Sequence, residues 1–378
     1  MSAARSNGLR GAKRLVVKIG SALLVDDDSG ALRREWLDAL AEDIAERHSR
    51  GQEILVVSSG AIAVGRRRLG LTNTGRTLRL EEKQAAAAAG QIQLAHAYEQ
   101  ALARHGITVA QILVTPDDTE ERRRHLNARS TLSQLLSFRA VPVINENDTV
   151  GTAEIRFGDN DRLAARVAAM ISADTLVLLS DVDGLYDRDP RDDPSANRLD
   201  EVTAITPEVE AMAGVAPVGY SSGGMVTKLQ AAKIAMGSGC RMVIADGRGP
   251  HPLRRLDAGD PGTWFLPTAT PLTARKTWIA GALNPMGVVT VDAGAERALQ
   301  RGRSLLPVGV TAVTGRFERG DAVAIRNGDG RELGRGLSAY SSEDAVRIAG
   351  HKSEEIEAIL GYRGRDEMIH RDDLVLTS

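Results

Sequence analysis

Six short runs constrain this chain more than any other feature. RLVVKI (14–19), EILVVS (53–58), VAQILV (109–114), VPVIN (141–145), TLVLLS (175–180) and RMVIAD (241–246) are apolar at consecutive positions and rich in β-branched residues. A strand with one wet face alternates polar and apolar residues. A strand apolar on both sides must be covered on both sides, as the parallel strands of α/β proteins are. Helical periodicity between the runs predicts helices over about 34–49, 79–105, 127–139, 160–172 and 225–238. The βαβα succession therefore predicts an α/β fold, an open and mostly parallel sheet sandwiched by helices. Ligands of such sheets collect at the C-terminal ends of the strands.

The strand exits carry KIGSALL, SSGAIAVG, TPDD, NENDTV and SDVDGLYDRDP, so glycines, hydroxyls and acids recur at that one edge. In the first, Lys18 stands beside Gly20 and Ser21, an ammonium next to backbone N–H groups that can face a phosphate. A lysine flanking a strand and a glycine serving a turn would read the same way. In the second, Ser59 and Gly60 open a helix, where either an anion or an ordinary serine N-cap is at home. A third glycine-rich loop, GYSSGGMVTKLQAA (219–232), brings Lys228 with Ser221, Ser222 and Thr227, although no Walker A pattern occurs. At Asp181, after the fully apolar run 175–180, either contact with a nucleotide ribose or base or an ordinary solvated acidic turn fits the pattern. The acids that follow it do not fall at the offsets of a calcium loop.

The stretch INENDTVGTAEIRFGDNDRLAARV (144–167) concentrates Glu146, Asp148, Glu154, Asp159 and Asp161 with Asn145, Asn147 and Asn160. Histidine, the usual general base, is missing from every one of these loops. A carboxylate nucleophile, already ionised at neutral pH, needs no base, and phosphoryl transfer asks mainly for positioning and positive charge. Only seven of the 48 cationic residues are lysines, so two glycine-associated lysines stand out as compact point charges in an arginine-writing chain.

After TPLTARKTWIAGALNP the texture changes to short alternating runs separated by glycine turns. This predicts a first domain over 1–275, a linker over 276–285 and a small β-rich, barrel-like domain over 286–366. The net charge of −2 gives no global field for nucleic acid or an anionic membrane. One cysteine, no signal peptide and no apolar stretch of membrane-spanning length lead to the expectation of a cytoplasmic protein.

KIGSALL, SSGAIAVGRRRLG, LNARSTL, VINENDTV, FGDND, DGLYDRDPR and GGMVTKLQAA together resemble the glutamate 5-kinase family of the amino acid kinase superfamily, and the part ending AGHKSEEIEAILGY is similar to a PUA domain. The resemblance implies ATP-dependent phosphorylation of the γ-carboxylate of L-glutamate, the first step of proline biosynthesis. It also implies Mg²⁺ held mainly through ATP phosphates rather than by a protein metal site. Lys18 and Lys228 would contact the phosphates, and Asp161 would orient both lysines. Ser59, Asp148 and Asn160 would bind glutamate, Asp148 its ammonium and Asn160 its carboxylates. Gly20, Ser180, Asp181 and the run Ser222, Gly223, Gly224, Met225, Val226, Thr227 and Lys228 would serve the nucleotide. Glu146 and Asp159 are expected to be solvated or structural. Proline as inhibitor, a homo-oligomer and hand-over to glutamyl phosphate reductase are further implications.

Two alternatives stand beside this reading. One is another acyl-phosphate-forming kinase, acting on aspartate or N-acetylglutamate; an N-acylated substrate has no ammonium for Asp148 to meet. The other is an RNA-binding or regulatory protein acting through the C-terminal domain. From residue 284 onward that domain has 13 Arg and Lys against 15 Asp and Glu, the wrong sign for gripping phosphates.

Overall fold

β1 (Arg14–Ile19) lies between β2 (Glu53–Ser58) and β5 (Thr175–Ser180), parallel to both, and is buried from Leu15 to Ile19. Covered on both faces, it is the strand that the sequence pattern requires. The computed structural model describes residues 8–26, 29–71, 78–151, 160–214, 224–281 and 284–377. Outward from the centre, β4 (Val141–Glu146) and β3 (Val109–Val114) follow β2 on one side. β7 (Arg241–Asp246), β8 (Gly262–Phe265) and β6 (Glu201–Val202) follow β5 on the other. All pairings in this eight-stranded sheet are parallel except β7 with β8.

Two departures have plain causes. VAQILV was expected to be covered on both faces, but β3 is an edge strand paired only with β4, and Gln111 and Leu113 are exposed. β8 is four residues long and includes a glycine, too short to show a period, and so the sequence did not announce it.

Helices cover the sheet on both sides, giving two apolar clusters, one built on Val17, Val56 and Val177 and the other on Val16, Val57 and Leu178. Successive residues of one strand thus enter opposite cores. The helices Asn160–Met170 and Met225–Gly237 share the second cluster through Ala164, Ala165 and Ala168 on one and Ala231, Ala232 and Ala235 on the other. Side chains this small let two helix axes come close, which brings the first turns of both to the same strand edge.

The chain divides into two compact units, Met1–Pro271 and Leu272–Ser378. The second has a five-stranded sheet in the order β10 (Val310–Gly315), β9 (Gly287–Val291), β11 (Ala322–Asn327), β12 (Glu332–Leu337), β13 (Leu374–Leu376). Its core is formed by Val289, Phe317, Val323, Ile325, Tyr340, Ile348, Met368 and Ile369. Among the described residues no helix is long and apolar enough to cross a membrane.

Candidate active site

Lys18, the penultimate residue of β1, reaches Asp161 with Nζ 2.5 Å from Oδ1. Lys228, on the first turn of the Met225–Gly237 helix, donates from Nζ to the other oxygen of the same carboxylate at 3.0 Å. Asp161 has no exposed surface, and the two lysines keep 5% and 4% of theirs. One carboxylate thus bridges two ammonium groups that are 210 positions apart in the chain, a net charge of +1 at the exits of β1 and β5. Burial alone raises the Asp161 pKa. The charges of Lys18 and Lys228, and their hydrogen bonds, outweigh that effect and hold the carboxyl below its ordinary value. Its place in the first turn of the Asn160–Met170 helix adds a favourable dipole.

The neighbouring residue, Asn160, anchors a neutral network. Asn145 Oδ1 accepts the backbone N–H of Glu146 at 2.9 Å, and that N–H can only donate, so the orientation of the Asn145 amide is settled. Asn160 Nδ2 then donates to Asn145 Oδ1 at 2.8 Å, to the Ser58 carbonyl at 2.8 Å and to Ser59 Oγ at 2.9 Å. Two amide hydrogens facing three acceptors are fully used. This corrects the expectation that Asn160 donates to a substrate carboxylate: what it can present is Oδ1, an acceptor suited to an ammonium. The Ser59 hydroxyl accepts from Asn160, which leaves its own hydrogen to donate.

Ser59 is therefore no ordinary N-cap. The helix Ala61–Arg68 is capped by Gly60 with no side-chain bond. Gly60 sits at φ +102°, and a Cβ there would lie 3.1 Å from Val25 Cγ2, so the left-handed turn that frees Ser59 needs a glycine. By contrast the TPDD exit is a cap and nothing more. Thr115 accepts from the Asp118 N–H at 3.4 Å, while the Asp118 carboxylate takes the Thr115 N–H at 2.7 Å and its hydroxyl at 2.8 Å.

Gly20 has an ordinary φ of −67°, and its N–H reaches the Leu179 carbonyl at 3.3 Å. Among the described residues, a side chain there would meet only that carbonyl oxygen, at 3.5 Å. Ser180, nearly buried, donates to Asp181 Oδ1 at 3.0 Å, and Asp181 is exposed at the end of β5. Ser180 pairs in register with Asp246, and a recess lined by Asp183, Asp246, Arg248, Arg255 and Leu256 lies at that end of the sheet. Gly224 is the exposed N-cap of the Met225–Gly237 helix. Met225, Val226 and Thr227 are half-buried, and Thr227 Oγ1 donates back to the Gly224 carbonyl at 2.7 Å. Asp148 is half-buried in the turn after β4, three residues beyond Asn145. Glu146 is buried rather than solvated. Ser222, Gly223, Glu154 and Asp159 lie outside the described residues.

Sequence reasoning passed over Gln91, Tyr98 and Ser58. The Asn145 Nδ2 donates to Gln91 Oε1 at 2.8 Å, and the Tyr98 hydroxyl is 3.0 Å from Ser58 Oγ. Both partners sit on the Leu80–Ala103 helix, where Gln84, Gln91 and Tyr98 recur every seven residues. Polar side chains at that spacing on an alanine-rich helix were the available signal. Burial pushes the Tyr98 pKa well above its usual value, which keeps the hydroxyl neutral. Among the described residues no group of three or more His, Cys, Asp or Glu is placed to hold a metal ion.

Residues 13–246 match the amino acid kinase family, and residues 287–360 match the PUA domain. The chain is 64% identical over 368 residues to a glutamate 5-kinase of Paramagnetospirillum magneticum, covering 97% of this chain and 99% of that protein. It is 60% identical over 368 residues to the glutamate 5-kinase of Dinoroseobacter shibae, with the same coverage of 97% and 99%. To that of Rhodospirillum rubrum it is 61% identical over 363 residues, covering 96% of each.

Proposed function

The chain belongs to the amino acid kinase family and, within it, to the glutamate 5-kinases, and on that premise we propose how its residues divide the work. The reaction is the ATP-dependent phosphorylation of the γ-carboxylate of L-glutamate, the first step of proline biosynthesis. A γ-carboxylate oxygen attacks the γ-phosphorus of ATP. The new O–P bond forms as the bond to the β,γ-bridging oxygen breaks, and ADP leaves with that electron pair. The nucleophile is already ionised, so no residue is needed to take a proton.

What remains for the protein is alignment and positive charge. The observation that carries the assignment is the single buried carboxylate of Asp161 holding Lys18 and Lys228 on its two oxygens. A lysine is a flexible point charge, and this clamp gives it a fixed position. Lys18 and Lys228 receive the charge of the transferring phosphoryl group and of the leaving ADP, and Gly20 leaves room for the phosphates over β1. Ser180, Asp181 and the segment Ser222 to Thr227 take the rest of the nucleotide.

At the other end, Asp148 and Asn160 Oδ1 accept the α-ammonium of glutamate, and the Ser59 hydroxyl donates to its α-carboxylate. Proline has the same two groups, so it is proposed to compete at this end of the site. For Mg²⁺ the fit is poor on the protein side. Asp161 is committed to two lysines, and no alternative cage occurs among the described residues. The ion would come with the ATP phosphates, and no step is assigned to it.

The test is incubation with ATP, Mg²⁺ and hydroxylamine, scoring the hydroxamate formed from L-glutamate, L-aspartate or N-acetylglutamate. Product from L-glutamate alone, with proline raising the glutamate KM, is expected. Preference for N-acetylglutamate would overturn the ammonium assignment.

A further inference from the structure

We propose that Gln91 is a positioning residue for the amino-acid end of the site, acting through Asn145 on Asn160; this rests on the reading of Asn160 as a glutamate contact.

The chain of hydrogen bonds runs in one direction. Gln91 Oε1 accepts from Asn145 Nδ2 at 2.8 Å. That bond, with the Glu146 N–H, fixes which side of the Asn145 amide faces Asn160. Asn145 Oδ1 in turn accepts from Asn160 Nδ2, which turns the Asn160 oxygen outward. Gln91, Asn145 and Asn160 are 7%, 3% and 9% exposed, so water is a poor substitute for any of these partners. Among the described residues the Gln91 Nε2 has no partner, so the side chain enters the network through its acceptor.

The rest of the Leu80–Ala103 helix follows the same plan. Seven residues advance a helix by about 10 Å, and at that interval Gln84, Gln91 and Tyr98 each meet one strand exit. Gln84 Nε2 donates to the Gly151 carbonyl at 2.9 Å, beyond the turn that carries Asp148. Tyr98 meets Ser58, next to Ser59. The helix is seated against Ala61–Arg68, the helix that follows Ser59, through Gly90 and Gly65. A Cβ on Gly90 would come within 1.9 Å of the Ala61 carbonyl oxygen, and one on Gly65 within 1.7 Å of that of Ala86. Contact that close sets the height of Gln91 relative to Ser59. The helix predicted over about 79–105 is thus the rail on which the β2 and β4 exits are aligned.

The experiment compares Gln91→Met, Gln91→Glu and Gln84→Met in the full-length protein by steady-state kinetics for both substrates, with thermal melting alongside. Met fills the space without a good acceptor, whereas Glu restores one. For Gln91→Met the glutamate KM is expected to rise roughly ten-fold, the scale of one unmade buried hydrogen bond, with kcat and the ATP KM within about two-fold. Gln91→Glu is expected to recover most of that loss, which a purely structural role would not require. Gln84→Met, at a half-buried position, is expected to move the glutamate KM in the same direction by about three-fold and keeps the test valid if Gln91→Met fails to fold. An unchanged glutamate KM in the folded variants overturns the proposal, as does an equal loss in both substrates' KM and in kcat. If the wild type does not phosphorylate glutamate, the reading of the site fails instead, and that arm is run first.

Discussion

Asn160 and Asp161 are consecutive residues that belong to two differently built halves of the proposed site. Around Asp161 everything is charged: two lysines share one carboxylate, and all three groups are buried. Around Asn160 the hydrogen-bonding partners are neutral: buried Ser58, Asn145, Gln91 and, through Ser58, Tyr98, with half-buried Ser59. The difference follows from the task. Charge that moves during a reaction must be met by charge already in place, and a buried carboxylate is the means of holding two ammoniums still. A zwitterion that only has to be recognised is met, on the proposed reading, by oriented dipoles with fixed donor and acceptor sides together with the one carboxylate of Asp148. The helix N-terminus lets one turn of chain serve both.

Four experiments can break or sharpen that contrast. The largest effect is expected from Asp161→Asn, which leaves two buried ammoniums without their counter-charge; breaking such a pair costs about 3–5 kcal/mol. Denaturant unfolding should read that loss, and kcat should collapse with it. Lys228→Ala comes next, with kcat reduced by about 2–4 kcal/mol of transition-state stabilisation and little change in the glutamate KM. A near-normal kcat would remove Lys228 from the catalytic residues. Asp148→Ala addresses the amino-acid end and should raise the glutamate KM far more than the ATP KM; equal effects would contradict the division. Smallest is Thr115→Ala at the capped exit of β3, expected to lower stability by about 1 kcal/mol with unchanged kinetics.

The charged half also predicts a pH signature. The Asp161 pKa is lower in the folded protein than its ordinary value. The unfolded chain therefore binds the proton first, and stability rises with pH across the interval between the two values. The contribution is complete above the ordinary carboxylate value of about 4 and is lost as pH falls through the folded value. Wild type and Asp161→Asn should thus differ by a constant amount near neutrality and converge in acid. A difference that does not depend on pH would show that the clamp is not ionic.

Much of this was legible beforehand. Consecutive apolar residues named five inner strands of the first sheet, β4, β2, β1, β5 and β7, nearly residue by residue, because burial on both faces leaves no room for an alternating pattern. Lys18, Lys228, Asp161, Ser59 and Asn160 were all placed at the strand edge by their loops and by family resemblance. The rest depended on neighbours. The edge position of β3, the antiparallel β8 and the cap at Thr115 are set by what each segment packs against.

The sequence by itself determined the α/β alternation and the lysines beside glycine loops, since these follow from local pattern and residue chemistry; the carboxylate between the lysines was implied by the family resemblance. Tertiary structure alone decided which way each amide faces and which helix holds it. Asn160 became an acceptor because Ser58, Ser59 and Asn145 consume its hydrogens, and Gln91 matters because a helix more than 50 positions away in the chain is pressed against Asn145. A hydrogen-bonding side chain carries both signs at once. Only its partners select the one it shows.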